Sequence, residues 1–521
     1  MNKKYFNLKI IYISFLLISS ISFNFYYGYL GVFPIDSFLI YNAGYNVLNG
    51  FHPFKDYWSI TGPLLDYIQF IFFLLFDVNW FSYVLHAAII NFIITIFSFY
   101  FFIKMGLNIS FSFIYSLCIS ILAYPLIGTP FVDIHAVIFS LISVSLMNLG
   151  IFYKKNNFFY YSAILIILSF FSKQIPSAYI LLSQILILLF YIYACNKKNY
   201  KPLINYLMII FLSVIIILIF FFINDIPIKN FIVQYILYPA SIGSERTSEL
   251  SFTFNKIIGQ FKFIYLSLLP ILGVILILLR KKIKNIEITR DLIILISTII
   301  VSLIFIYCQM ITRNQILIFF LIPYYLAISQ IYTTKYWNRK SVLPIILILL
   351  LVSTAKYHQR FNNEKKFMDL DGYDINLVLN SKVIDSTLSG LKWISLDFID
   401  EPDEEIKLIK NTKEFLLNDI ENKIYITDYQ FFQSITKNDN ISPNKWYDAL
   451  SIPSEKNKYF ANYKLFFLES LKKQQIDNIY FISLERKEEI FINSVIDNKK
   501  CLNFEKINKI LTKFIFKNCK I

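Results

Sequence analysis

The sequence predicts an all-α polytopic membrane domain of about eleven transmembrane helices with a large first outer loop, followed by a small soluble α/β domain. Hydrophobic residues make up 56% of the 521 residues and charged residues only 16%, whereas soluble proteins carry about 25% charged residues. From about Lys356 the composition becomes polar and mixed in charge. We therefore expect a membrane domain over residues 1–355 and an extracytoplasmic domain over residues 356–521.

Apolar runs of about 18 residues or more are long enough to cross a bilayer, and they place the spans. The first run is too long for a removed signal peptide and lacks a small-residue cleavage site, so we expect it to remain as an anchor. The predicted spans are residues 9–30, 83–104, 110–125, 137–153, 158–172, 177–195, 203–223, 261–279, 291–308, 315–331 and 341–355.

Basic residues predict the orientation, because Lys and Arg concentrate in short cytoplasmic loops. With the N-terminus inside, the inner loops collect most of them, including the loops at 154–157 and 280–290. The odd number of spans then places residues after Lys356 outside. The net charge of +15 is explained by this topology signal against anionic lipid, and no nucleic-acid-binding module is present in the sequence.

The polar C-terminal segment reads as a small α/β domain. Residues 423–428 and 476–483 have the β-branched and aromatic composition of strands, and residues 466–474 have a helical pattern. The acidic stretch Asp397–Glu405 is interpreted as a solvated loop without regular calcium-ligand spacing. Cys501 and Cys519 both fall in this domain, where an oxidising compartment would permit a disulfide.

Carboxylates and an imidazole collect in the loops predicted to face outward. Asp36 and Asp56 lie in the first of these loops, and Asp133 and His135 lie two residues apart in the second. Ionisable residues at a membrane edge are costly and tend to mark function. Structural interpretations also exist: Asp36 could cap the following helix, Asp56 could close a turn, and Asp133 with His135 could be a surface pair.

Three basic residues lie in the other loops predicted to face outward: Lys173, Arg246 and Arg313. Cations of this kind can stabilise a phosphate on which negative charge develops. The alternative is that Lys173 extends its charged end to the interface and that the two arginines contact lipid headgroups.

The first outer loop resembles a known family. An Asp shortly after the first span, a Tyr-rich helix, the segment Gly50-Phe-His-Pro-Phe-Lys-Asp56 and the segment Thr61-Gly-Pro-Leu64 are similar to C-type membrane glycosyltransferases, in particular the aminoarabinose transferase and protein O-mannosyltransferase superfamily. The resemblance covers about 355 residues in topology, but its specific motifs lie mostly within residues 35–65. Ser37 stands where many members have a second acid, and Gly62-Pro63 stands where aminoarabinose transferases have Lys-Pro.

The resemblance implies transfer of a sugar from a polyprenyl-phosphate donor to a lipid, glycan or protein acceptor, at the outer face of the cytoplasmic membrane of a bacterium. It matches Asp36 to the catalytic carboxylate of the family. We expect Asp36 and Asp133 to act in catalysis, and Lys173 and the two arginines to bind the donor phosphate. Asp56 and His135 are possible ligands of a metal ion, Mg²⁺ or Mn²⁺, or of the substrate. We favour a metal-independent reaction that inverts the anomeric centre.

Two other classes remain open. The first is an O-antigen ligase or polymerase, because Arg246-Thr-Ser-Glu-Leu250 fits a short pattern seen in such proteins. The second is a lipid or solute transporter that has no enzymatic activity. The sequence shows no pair of interrupted helices at matching positions in two halves, which transporters often have. A ligase or polymerase should depend on Arg246 and tolerate the loss of Asp36.

Overall fold

The structure is a computed structural model that describes residues 3–196, 198–250, 253–280, 285–312, 317–337, 341–448, 450–484, 488–496 and 503–516. Arg313, Cys501 and Cys519, for which predictions were made above, lie outside the described residues. Residues 281–284 of the predicted cytoplasmic loop also lie outside them.

The protein is mostly helical. The first ten described helices are α1 (Lys3–Gly28), α2 (Pro34–Ser37), α3 (Leu39–Leu48), α4 (Pro63–Phe76), α5 (Trp80–Lys104), α6 (Ile109–Leu122), α7 (Val132–Tyr153), α8 (Asn157–Ser172), α9 (Gln174–Cys195) and α10 (Lys201–Ile223). They are followed by α11 (Ile228–Phe231), α12 (Tyr238–Ser248), α13 (Lys262–Arg280), α14 (Ile286–Thr312), α15 (Leu321–Tyr336) and α16 (Val342–Tyr357).

The C-terminal region adds helices and short strands. The helices are α17 (Pro402–Asn418), α18 (Phe432–Thr436), α19 (Phe460–Lys473) and α20 (Glu488–Val495). The strands are β1 (Leu379–Asn380), β2 (Lys392–Trp393), β3 (Lys423–Thr427), β4 (Asn478–Ile482), β5 (Asn503–Lys506) and β6 (Leu511–Ile515).

In the described part of the chain, eight helices are long and apolar enough to cross a membrane, which indicates a multi-pass membrane protein. The last of them runs over Val342–Asn363, because a π-helical segment, His358–Asn363, continues α16. They correspond to eight of the eleven predicted spans. The other three predicted spans coincide with α6, α8 and α15, which have 14, 16 and 16 residues. At 1.5 Å per residue these helices are about 21–24 Å long, shorter than the roughly 30 Å hydrocarbon core. The number of eleven spans therefore stays a prediction.

The chain forms two compact units. The first consists of Met1–Tyr27, Ala87–Leu218 and Glu245–Phe367, and the second of Gly28–His86, Ile219–Ser244 and Met368–Ile521. The second unit thus contains both the predicted first outer loop and the polar C-terminal segment. The domain boundary at residues 355 and 356 stays a prediction.

In the first unit, small and hydroxylated residues bring neighbouring helices close together. On α7, Ser140 and Ser143 contact Ser169 and Ser162 of α8, with Oγ–Oγ distances of 2.7 and 3.1 Å. A Cβ atom on Gly150 would lie only 2.8 Å from the ring of Phe159. Small residues and interhelical hydrogen bonds are the usual means of packing helices in membranes. These contacts fix the start of α7 relative to the end of α8.

The second unit contains a four-stranded sheet in the order β3-β4-β6-β5. Strands β3 and β4 are parallel and joined through α19, and β6 runs antiparallel to β4. All five residues of β4 are buried, which agrees with a strand covered on both faces. The strands predicted at 423–428 and 476–483 and the helix predicted at 466–474 are confirmed.

The acidic stretch is only partly a loop. Pro402 begins α17, and Asp403, Glu404 and Glu405 form its first turn, where carboxylates interact favourably with the helix dipole. Glu405 is buried and accepts hydrogen bonds from Trp393 Nε1 at 2.7 Å and Tyr429 Oη at 2.8 Å. The prediction of a solvated loop across the whole stretch was wrong, because its second half begins a helix.

Candidate active site

The first unit brings Asp133 and Lys173 together, although 40 residues separate them in the chain. Lys173 Nζ lies 2.7 Å from both carboxylate oxygens of Asp133. Lys173 lies at the break between α8 and α9, where its backbone is extended, with φ −159° and ψ 141°. This break directs the chain from one helix into the next and lets the lysine reach across to α7.

The Asp133–Lys173 pair is nearly buried at the start of a helix. Asp133 lies in the first turn of α7, where carboxylates interact favourably with the helix dipole. The side chains are only 5% exposed for Asp133 and 14% exposed for Lys173. Removing two charges from water costs roughly as much as their mutual attraction returns. The pair is therefore not explained by stability alone, and it remains a candidate for a functional role.

His135 does not share this site. Asp133 and His135 were expected to lie in a loop, but both lie at the start of α7. Residues two apart on a helix point about 200° apart around its axis. His135 is fully buried, and its Nδ1 atom lies 2.5 Å from Tyr124 Oη and 3.1 Å from the carbonyl oxygen of Phe131. Among the described residues, no group of three or more His, Cys, Asp or Glu side chains could hold a metal ion.

Asp36 belongs to the second unit and lies partly exposed in the four-residue helix α2. It does not cap the Tyr-rich helix that follows, because Phe38 occupies the N-cap of α3 and no side-chain cap hydrogen bond is present there. The capping interpretation of Asp36 was therefore wrong. Ser37 has a local structural role, since its Oγ atom accepts a hydrogen bond from the Phe33 N–H at 2.9 Å.

Asp56, also in the second unit, closes a turn. Its Oδ2 atom accepts a hydrogen bond from the backbone N–H of His52 at 2.9 Å. Its Oδ1 atom pairs with Lys473 Nζ at 3.1 Å. The turn also contains Phe54 with a positive φ of 70°. The turn-closing interpretation is confirmed, and a role in binding a metal or substrate stays a prediction.

Arg246 lies in the last turn of α12 and is partly exposed. It belongs to the first unit, as Asp133 and Lys173 do. Lys173 is one of the residues expected to contact the donor phosphate, and the structure pairs it with the carboxylate of Asp133.

Sequence reasoning missed a second lysine in the first unit. Lys365 follows the last apolar helix and is completely buried. It donates a hydrogen bond to the backbone carbonyl of Tyr27, and its Nζ atom lies 5.4 Å from the Tyr27 ring centroid. Burial lowers the pKa of Lys365 to about 7. In the sequence it stands within Glu364-Lys365-Lys366, which looks like an ordinary solvated segment, so no pattern signalled its burial.

Comparison with known proteins identifies no relative: no model of a known protein family matches the chain, and no curated protein matches it. The resemblance to C-type glycosyltransferases stays a prediction, which depends on the short motifs of residues 35–65 and on the arrangement of apolar segments.

Proposed function

We propose that the protein is a membrane glycosyltransferase that moves a sugar from a polyprenyl-phosphate donor to a lipid, glycan or protein acceptor. The observation that carries this proposal is the Asp133–Lys173 pair, a nearly buried acid and base where α7 begins and α8 ends. A transferase of this type needs a cation for a lipid-linked phosphate beside the membrane, and a carboxylate that keeps this cation in place.

In the proposed reaction, an acceptor hydroxyl attacks the anomeric carbon of the donor sugar. A bond forms between the acceptor oxygen and that carbon, and the bond from the carbon to the phosphate oxygen breaks. The hydroxyl proton passes to a carboxylate, and the polyprenyl phosphate leaves with the bonding electron pair. The Lys173 ammonium stabilises the charge on this leaving group. A single displacement inverts the anomeric centre, and no step requires a metal ion.

The resemblance assigns the proton-accepting role to Asp36, and Asp133 is the second candidate for it. Arg246 and Arg313 remain proposed contacts of the donor phosphate. We place the protein in the cytoplasmic membrane of a bacterium with the polar C-terminal segment outside. The distribution of Lys and Arg supports this orientation.

The test compares cells that contain the protein with cells that lack it. Loss of the transferase should cause one sugar-linked polyprenyl phosphate to accumulate, which mass spectrometry of extracted lipids would identify. Membranes carrying the wild-type protein should then transfer this sugar from the extracted lipid. We expect Lys173→Met and Asp36→Asn to reduce the transfer rate by about a hundredfold or more, as is usual when a charge-stabilising group or a general base is lost.

A second ion pair of the same unit provides the control. Lys335 Nζ lies 2.5 Å from a carboxylate oxygen of the fully buried Asp291, although the Lys335 side chain is 43% exposed. Lys335→Met removes the lysine partner of a buried carboxylate but should leave transfer near the wild-type rate. If no lipid-linked sugar accumulates, or if Lys173→Met and Lys335→Met reduce transfer equally, the proposed function is wrong.

A further inference from the structure

The second unit carries exposed apolar side chains on two helical segments. One is the second half of α4, and the other is the segment 228–237, in which a π-helix continues α11. Six large side chains on these segments are between 39% and 65% exposed, and we call them the apolar rim: Ile71, Leu74, Leu75, Ile228, Ile232 and Ile236. Exposed apolar patches of this kind mark contacts with membranes or proteins.

The helix α4 has two different sides. The buried residues on its inner side are three or four positions apart: Asp66, Gln69 and Phe73. The three rim residues of α4 have the same spacing on the opposite side and are exposed. The sequence has no charged residue from position 67 to position 76. The outward side of α4 therefore offers no charge to water.

The segment 228–237 also has two sides. Its three rim residues recur at every fourth position, whereas Tyr235 is fully buried. The ring of Phe231 packs against that of Phe54, with the centroids 5.2 Å apart. Lys229 is the one charged residue in the sequence of this segment. A lysine beside an apolar side can extend its ammonium group to the lipid headgroups.

Both segments adjoin the ends of long apolar helices. Three residues separate α4 from α5, and the ring centroids of Phe76 and Phe81 are 6.4 Å apart across this turn. In the first half of α4, the ring of Tyr67 lies 5.3 Å from that of Phe220, near the end of α10. The segment 228–237 follows α10 after four residues. Within the second unit, α4 therefore runs from the end of α10 to the beginning of α5.

The beginning of α5 and the end of α10 lie on the same side of the membrane in both the eleven-span and the eight-span arrangement. Six helices cross between these two points in the first arrangement, and four in the second. Both numbers are even, so the chain returns to the side from which it started. With 14 residues, α4 is about 21 Å long. Since both its ends adjoin the same membrane surface, α4 lies along this surface and does not cross.

We propose that the apolar rim inserts into the lipid bilayer at this surface and contacts the acyl chains. Interfacial helices bury their apolar side about 5–10 Å into the boundary between headgroups and acyl chains. Lipid is favoured over a protein partner because the rim adjoins the ends of two long apolar helices, where lipid is the surrounding medium. The rim then holds the second unit at a fixed depth. This proposal does not depend on the proposed function.

Fluorescence quenching on the full chain in lipid nanodiscs tests the proposal. Leu75→Cys and Ile232→Cys each place a bimane label on one half of the rim, at side chains that are already exposed. Cys501 and Cys519 are replaced by serine, and the other cysteines are buried. The label should therefore attach only to the introduced cysteine.

Two further labels provide the controls. Ile216→Cys marks contact with lipid, because Ile216 is 66% exposed on the apolar helix α10. Ile420→Cys marks contact with water, because Ile420 is 97% exposed and stands between two acidic residues in the sequence. Both controls replace an exposed isoleucine, as the rim label at position 232 does.

Lipids brominated on their acyl chains should reduce the fluorescence of both rim labels about twofold or more, because an insertion of about 5–10 Å brings the labels within reach of the bromine atoms. They should also quench the label at Ile216 and leave the label at Ile420 unchanged. Iodide dissolved in the water should quench the label at Ile420 and have little effect on the rim labels.

Three results would overturn the proposal. If iodide quenches the rim labels as strongly as the label at Ile420, the rim faces water. If the rim labels are protected from both quenchers, a protein surface covers the rim. If brominated lipid quenches only one of the two rim labels, the two segments do not insert together. The measurement involves no sugar transfer, so its outcome is separate from that of the proposed function.

Discussion

At the scale of single residues, Lys365 is a base whose burial makes the stability of the folded protein depend on pH. An unfolded lysine has a pKa of about 10.4, and burial lowers the pKa of Lys365 to about 7. Between these values the unfolded chain binds a proton that the folded chain does not bind. The free energy of unfolding therefore increases with pH across this window, and the destabilising cost of burying Lys365 grows as the pH falls towards 7.

We therefore predict that Lys365→Met flattens the pH dependence of thermal stability. The melting temperature of the wild-type protein in nanodiscs should rise from about pH 7 to about pH 9, whereas that of the variant should rise less. Lys366→Met is the control, because the neighbouring Lys366 is only partly buried. Intrinsic fluorescence can follow unfolding in both variants. An equal rise in wild type and Lys365→Met would show that Lys365 is not the responsible group.

The candidate site was predictable from the sequence only in part. Asp133 and Lys173 stand out because ionisable residues at the ends of apolar segments are rare. Their pairing was not predicted, since nothing in the sequence relates two residues 40 positions apart. His135 was placed beside Asp133 because the helix was expected to start at residue 137, whereas α7 starts at Val132. In an extended segment the side chains of Asp133 and His135 would point the same way. Because α7 begins about one turn earlier than expected, both residues are helical and their side chains point in different directions.

At the scale of the elements, long apolar helices and short buried strands follow directly from their patterns. The eight long apolar helices and the strands β3 and β4 were predicted, because length and β-branched content determine them. The start of α17 was missed although Pro402 at its first position, followed by three acids, is a helix-start signal. The density of carboxylates favours a solvated loop, but one of the three acids, Glu405, is buried.

One buried network ties elements of the second unit together. Asp66 in the first turn of α4 accepts a hydrogen bond from Tyr57 Oη at 2.9 Å and pairs with Lys445 Nζ at 2.5 Å. Lys445 also donates to the Thr61 carbonyl at 2.9 Å. The side chains of Asp66 and Lys445 are 0% and 3% exposed, so loss of one partner leaves a buried charge without compensation.

We predict that Lys445→Met destabilises the second unit by about 3–5 kcal/mol, the usual cost of breaking a buried ion pair. Asp66→Leu combined with Lys445→Met should recover much of this loss, because no charge then remains buried. Chemical denaturation followed by tryptophan fluorescence measures both, and Lys472→Met, at an exposed position, is the control. Equal destabilisation by the single and the double substitution would contradict the explanation based on an uncompensated charge.

At the scale of the whole molecule, the number of spans decides on which side each loop lies. If all eleven predicted helices cross, the loop at 154–157 is cytoplasmic and residues after Lys356 are outside. If only the eight long apolar helices cross, Lys154 and Lys155 follow the third span and lie outside, and the C-terminal segment lies inside. The second arrangement places two lysines of a short loop on the side that such residues avoid. It would also put the start of α7 and the end of α8 on opposite sides of the membrane, which conflicts with the 2.7 Å distance between Lys173 Nζ and Asp133 Oδ1.

We therefore predict that α6, α8 and α15 cross the membrane despite their length of about 21–24 Å. A bilayer can thin locally around short helices, and the cost is only fractions of a kcal/mol per ångström of mismatch. The test introduces Lys155→Cys or Asn411→Cys, both at exposed positions, into a chain in which Cys501 and Cys519 are replaced by serine. Cys118, Cys195 and Cys308 are buried and should not react.

A membrane-impermeant maleimide should label Asn411→Cys in intact cells and Lys155→Cys only after the membrane is permeabilised. Labelling of Lys155→Cys in intact cells, with protection of Asn411→Cys, would contradict the predicted topology, because eleven spans with the opposite orientation and eight spans with the predicted one both give this pattern. That result would also place the beginning of α7, and with it Asp133, on the cytoplasmic side. A polyprenyl-linked donor at the outer face could not then reach Asp133, so the topology measurement tests the basis of the proposed function as well as the predicted orientation.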